Sequence, residues 1–132
     1  MFTILCVDDS KSVHSFIKQC LEGLDILLVF ANDGKNALEK VQSASKPFDL
    51  ILLDWEMPVL NGPDTYEQLK KLKVTSPVMM LTSKNDPDDI TRMLMAGVQD
   101  YMMKPFTKDI LISKVEEISG RTFSAEVKNV AS

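Results

Sequence analysis

Five short apolar runs, residues 3–7, 27–31, 50–53, 78–81 and 100–103, recur along the chain. Their starts lie roughly 25 residues apart, the length of one strand-plus-helix unit. Each run is apolar on both faces rather than alternating, the pattern of parallel strands covered by helices on both sides. Between the runs the apolar period lengthens to that of a helix. Val13, Phe16, Ile17, Cys20, Leu21 and Leu24 follow Ser10, which is placed as an N-cap. Ala37, Leu38, Val41 and Ala44 mark a second helix after Asn32-Asp33-Gly34, and Tyr66, Leu69 and Leu72 a third opened by Gly62-Pro63. Ile90, Met93, Leu94 and Gly97 mark a fourth after Pro87, and Leu111, Val115 and Ile118 a fifth capped by Thr107. Strict alternation with right-handed crossovers predicts an α/β fold, a doubly wound five-stranded parallel sheet of order 2-1-3-4-5 with five helices.

At 132 residues the chain fits one domain, read here as residues 1–120, followed at 121–132 by a segment without clear period that reads as a tail or the start of a linker. The longest apolar run, residues 26–31, is six residues, too short to span a bilayer, and the N-terminus lacks the flank and apolar stretch of a signal peptide. The net charge of −4, with no lysine or arginine cluster, argues against direct nucleic-acid binding. Cys6 and Cys20 fall among apolar residues and read as small core side chains of a reducing, cytoplasmic setting.

In open α/β sheets ligands bind beyond the carboxyl ends of the strands, near the point where strand order reverses. Asp8-Asp9 follow the first run, Asp54 the third, Thr82-Ser83 the fourth and Lys104-Pro105 the fifth, so three carboxylates, a hydroxyl and an ammonium converge on one edge. Clustered carboxylates repel and retain protons unless a cation shares the site. Magnesium suits such a site, because it uses one or two carboxylates and leaves positions for phosphate oxygens. The single histidine, His14, lies on the first helix and neither cysteine is near the edge, which disfavours transition metals. A cation beside a hydroxyl and a lysine suits a transferring phosphoryl group, with Asp54 as the nucleophile because it ends the central strand before the turn Trp55-Glu56-Met57-Pro58.

These stretches resemble the receiver domain of two-component response regulators, and the chemotaxis regulators in particular. The resemblance covers about residues 2–120. It rests on Ile4-Leu5-Cys6-Val7-Asp8-Asp9-Ser10, Asn32-Asp33-Gly34-Lys35-Asn36-Ala37-Leu38, the stretch from Asp49 through Asp54 to Pro58, Asn61-Gly62, Leu81-Thr82, and Gly97 with Asp100-Tyr101-Met102-Met103-Lys104-Pro105-Phe106. It implies a flavodoxin-like fold and a switch in which Asp54 accepts a phosphoryl group from a histidine kinase or phosphotransfer domain. Asp8, Asp9, Asp54 and the Glu56 backbone carbonyl would hold Mg2+, Asp9 directly and Asp8 through water. Thr82 and Lys104 would contact phosphoryl oxygens, the Lys104-Pro105 bond would be cis, and Tyr101 would turn inward as Thr82 moves. A downstream protein would bind the face of helix 4, strand 5 and helix 5, a face also open to a second copy of the chain, with Met95 exposed there. Two features depart from the family pattern. Pro63 stands where an aliphatic residue usually tucks the third helix against the sheet. Glu56 and Lys84 flank the expected path of the attacking water, where an ion pair between them would slow hydrolysis.

Each residue alone has an ordinary use: Asp8-Asp9 beside a helix dipole, Asp54 in a turn, Thr82 as a cap, Lys104 as a solvated charge, Tyr101 as core packing. Four of them on four strand ends point to function. His14 reads as a surface histidine and Trp55 as a shield behind Asp54. The alternatives are a passive pseudo-receiver module and a phosphoaspartate hydrolase of the haloacid type, which would carry an aspartate where this chain has Glu56. A flavin mononucleotide carrier is a further rival, but Asp8-Asp9 would repel its phosphate.

Overall fold

The computed structural model describes residues 1–83 and 86–123. Strands β1 (Phe2–Val7), β2 (Ile26–Ala31), β3 (Leu50–Asp54), β4 (Val78–Thr82) and β5 (Asp100–Met103) alternate with helices α1 (Lys11–Leu21), α2 (Gly34–Ser43), α3 (Gly62–Lys71), α4 (Pro87–Ala96) and α5 (Lys108–Ser119). The strands form one sheet of order β2-β1-β3-β4-β5, and every pairing is parallel. This is the doubly wound arrangement expected from the sequence.

Each helix starts where a side chain satisfies a free amide of its first turn. Ser10 Oγ accepts from the Val13 N–H at 3.3 Å, Asp33 Oδ1 from Asn36 at 2.7 Å and Thr107 Oγ1 from Ile110 at 3.2 Å. Asn61 and Asp86 do the same for α3 and α4, each followed by a proline in the first turn. Pro63 does not loosen α3, because Thr65, Tyr66 and Leu69 bury its inner face.

Alternate residues of the central strands point into two cores. Ile4, Cys6, Leu50, Leu52, Met79 and Leu81 meet α1 and α5 on one face. Leu5, Val7, Ile51, Leu53, Val78 and Met80 meet α2, α3 and α4 on the other. Burying one such side chain stabilises the fold by about 2 kcal/mol. β2 differs from the expectation of two covered faces: it is an edge strand, and Leu27 is 49% exposed. The apolar run encodes the strand, whereas its place at the edge comes from the order of the whole sheet.

Two further differences concern single residues. Phe123 is fully buried, its ring 5.6 Å from that of Phe2 and its N–H donated to Glu116 Oε2 at 2.7 Å. The packed body therefore reaches three residues past Gly120, while 124–132 lie outside the described residues. His14 is not a surface histidine: it is half-buried, stacks on Phe30 at 4.7 Å between centroids, and its Nε2 is buried with no hydrogen-bond partner among the described residues. It borders the stripe of Val13 and Ile17, which turns the ring over the end of β2.

Candidate functional site

The sheet pairings run one residue further than the apolar runs do. Asp54 pairs with Leu81 and Thr82 with Met103, so both polar residues are the last members of their strands rather than loop residues. Asp8 follows β1 directly, its N–H donated to the Ala31 carbonyl at 3.1 Å, and the Lys104 N–H donates to the Thr82 carbonyl at 2.8 Å. Four strand ends thus bring Asp8, Asp54, Thr82 and Lys104 to one edge by backbone pairing alone.

One carboxylate oxygen from each of Asp8, Asp9 and Asp54 lies within 4.8 Å of the other two. Asp8, Asp54 and Thr82 are buried and Asp9 is exposed. The Lys104 ammonium bridges the pair, 2.8 Å from Asp8 Oδ2 and 2.9 Å from Asp54 Oδ1. Asp8 also accepts from the Ser10 N–H at 2.9 Å, which fixes its carboxylate at the start of α1.

Burial pushes the Asp54 carboxyl up to about 6, against the opposing pull of its Lys104 hydrogen bond and with the Asp8 and Asp9 charges adding to the rise. Burial works against the Lys104 charge, yet the hydrogen bonds it donates to Asp8 and Asp54 outweigh it, and the ammonium holds its proton more tightly than an ordinary lysine. Buried Cys6, on β1 below Asp8, is pushed above the usual thiol range and stays neutral. The donor set is therefore all oxygen, with no histidine or thiolate, and fits a hard divalent cation such as magnesium.

The loop after Asp54 is drawn tight. The Gly62 N–H closes it on the Trp55 carbonyl at 2.8 Å, and Trp55 is itself buried. A Cβ at Gly62 would stand 2.5 Å from the Asp54 carbonyl oxygen and 2.9 Å from Trp55 Cα, so only glycine lets α3 start this close to the site. At the tip, Val59 has φ 71° and the Leu60 N–H reaches back to the Pro58 carbonyl at 2.8 Å, a γ-turn with a positive central φ. Neither the Gly62 contact nor the Lys104 bridge to Asp8 was legible in the sequence beyond the Asn61-Gly62 pair.

Other expected residues fall elsewhere. Tyr101 is half-buried on β5, in a groove of about 410 Å³ with Pro87, Ile90, Thr91, Leu94 and Met103. The Lys114 ammonium lies 6.0 Å from the Tyr101 ring centroid. Ser83 is exposed on the other side, lining a depression with Phe16 and Phe106. The Lys104-Pro105 bond is cis, Met95 is 84% exposed on α4, and Glu56 is exposed. Lys84, the expected partner of Glu56, lies outside the described residues.

The chain is thus a parallel, doubly wound sheet with an acidic pocket at its switch point and a lysine bridging two of the acids. The model of the response regulator receiver domain matches residues 4–116, and the chain belongs to that family, the receiver domains of two-component systems. It is 37% identical over 130 residues to the alkaline phosphatase synthesis transcriptional regulatory protein PhoP of Bacillus subtilis, covering 96% of this chain and 53% of that protein. It is 37% identical over 125 residues to the chemotaxis protein CheY of Pseudomonas aeruginosa, covering 89% of this chain and 96% of that one. The receiver domain of a Francisella response regulator superposes with a TM-score of 0.83 at 34% identity, covering 92% of this chain and 99% of that one. The chain thus spans about half the length of transcriptional regulators such as PhoP and nearly all of the chemotaxis protein. Among the described residues, no helix is long and apolar enough to cross a membrane.

Proposed function

We propose that this chain is a magnesium-dependent phosphoryl-accepting switch whose acceptor is Asp54. The observation that carries the reading is the placement of the Asp54 carboxylate, buried at a strand end, within 4.8 Å of two other carboxylates and 2.9 Å from the Lys104 ammonium. An Asp54 oxygen attacks the phosphorus of a phosphohistidine on a kinase or phosphotransfer domain. The phosphorus–nitrogen bond breaks, and the donor imidazole leaves with the electron pair and takes up a proton. Asp8, Asp9, Asp54 and the Glu56 carbonyl would hold Mg2+. When bound, that ion offsets the repulsion among the carboxylates and among the phosphoryl oxygens.

The chain's own groups supply the rest. Lys104 remains charged and can turn from Asp54 toward a phosphoryl oxygen while keeping Asp8. The buried Thr82 hydroxyl, at the next strand end, donates to another phosphoryl oxygen. Movement of Thr82 lets Tyr101 reorient along its groove, which changes the surface of α4, β5 and α5, where Met95, Leu94 and Ile110 are exposed. That surface would engage a downstream protein or a second copy of the chain. The receiver unit runs from residue 1 through the buried Phe123, past the boundary at 120 expected from the sequence, and the setting is cytoplasmic. The domain works as a signalling switch, promoting only its own phosphorylation and dephosphorylation.

Beryllofluoride with magnesium, a phosphoryl mimic, tests this reading by NMR. We expect chemical-shift changes at Asp54 and Thr82 that extend to Tyr101. Unchanged spectra would favour a passive interaction module, and changes at Asp54 that stop before Tyr101 would remove the switch.

A further inference from the structure

Helix α4 is the most weakly anchored of the five: Met93 is its one buried residue, against three in α1 and four in α3. Its two ends are held very differently. The first turn carries Asp88 and Asp89 after the Asp86 cap and meets the groove that holds Tyr101. The last turn closes with the Gly97 N–H donated to the Leu94 carbonyl and the Val98 N–H to the Met93 carbonyl, both at 3.1 Å, a Schellman ending with Gly97 at φ 118°.

That ending leaves the Ala96 carbonyl outside the pattern, and α4 has no basic residue in its own last turn. Helix α3 supplies what is missing. The Lys70 ammonium donates to the Ala96 carbonyl at 3.2 Å, and the Tyr66 hydroxyl lies 3.4 Å from the same oxygen. Lys70 also lies 5.6 Å from the Tyr66 ring centroid, so the two act as one unit. Burial, with Glu67 beside it, pushes the Tyr66 phenol up, which keeps it a donor. Any side chain at position 97 would displace this contact, because a Cβ there would lie 2.6 Å from the Tyr66 hydroxyl. A cation on the carbonyl end of a helix also meets the negative end of its dipole.

We propose that Tyr66 and Lys70 form an inter-helix clamp that pins the C-terminal end of α4, so that the helix rearranges by pivoting about Ala96-Gly97 rather than by sliding as a whole. The trigger rests on the phosphoryl-switch reading, but the clamp itself exists without it. It confines motion to the part of α4 ahead of its last turn, which gives Pro87, Ile90 and Thr91 to the Tyr101 groove, and keeps the entry to β5 fixed, where the Gln99 N–H is bonded to the Val78 carbonyl at 2.8 Å.

The test compares the full chain with a Tyr66→Phe, Lys70→Met double variant, which keeps the buried ring and the lysine's apolar stem. In the absence of any ligand, amide exchange at Gly97 and Val98 should become about tenfold faster in the variant, with the Ile90 amide unchanged. Equal exchange at Gly97 and Val98 in the two proteins would overturn the clamp. With magnesium and beryllofluoride, shift changes in the unmodified chain should concentrate at residues 88–91 and fade toward 96–98, and in the variant they should spread to both ends. Equal changes at both ends of α4 in the unmodified chain would overturn the pivot. No changes at Asp54 or Thr82 would count against the phosphoryl-switch reading instead, while the exchange comparison still decides the clamp.

Discussion

At the scale of single residues, Asp54 is held in a state that does not favour the fold. Its carboxyl is pushed up to about 6, above the ordinary 3.8 it regains on unfolding, so between those values the native chain binds the proton more tightly. The charged form therefore weakens the native state above pH 6, and that penalty disappears as pH falls through 6 toward 4. Without metal, Asp54→Asn should be more stable than the unmodified chain at pH 8 by about 1–2 kcal/mol, after the lost Lys104 hydrogen bond is set against the relieved charge. The gain should vanish near pH 4. Urea unfolding in chelator at the two pH values measures both, and a destabilised variant at pH 8 would contradict the account. The sequence placed the acidic trio correctly because strand order alone brings those strand ends together. It did not show that Lys104 bridges Asp8 and Asp54, since a side chain's direction depends on neighbours nearly a hundred residues away. His14 was misread for a similar reason: its environment is Phe30, on another strand.

Among the elements, the β3–α3 loop combines a strained residue with a close approach. Val59, a β-branched residue at φ 71° and 82% exposed, has no packing to offset its conformation. Val59→Asn should raise stability by about 1 kcal/mol, read as a higher unfolding midpoint with an unchanged denaturant slope. Gly62→Ala should do the reverse: its Cβ would press on the Asp54 carbonyl and Trp55 backbone, at a cost of about 2–3 kcal/mol and with weakened magnesium binding. An alanine variant that matches the unmodified chain in both would refute the close approach. The strands and helices themselves were legible, because apolar runs give way to a helical period five times over. Their ends were less so: Asp54 and Thr82 break the apolar pattern although their backbones still pair.

On the scale of the whole molecule, two cores flank the sheet, and the one beneath α1 and α5 is closed by Phe123. The Arg121 guanidinium lies 4.7 Å from that ring's centroid and pairs with Asp25 at 3.3 Å. Phe123→Ala should lower stability by about 3–4 kcal/mol, measured by denaturant unfolding, while leaving magnesium affinity unchanged because the ring packs at Phe2, the opposite end of β1 from Asp8. One aromatic among polar residues has no period, so the sequence could not place it. The sheet order was legible because parallel connections admit few topologies, and it carries the functional reading, since it is what gathers the carboxylates.

The central claim is that this gathering makes Asp54 a phosphoryl acceptor. Incubation with a small phosphoryl donor such as acetyl phosphate, followed by peptide mass spectrometry, measures it directly. The account predicts one phosphoryl group per chain, on the peptide bearing Asp54, as a hydroxylamine-labile acyl phosphate that is lost with chelator or in Asp54→Asn. Labelling at another residue, or none with magnesium present, would contradict it.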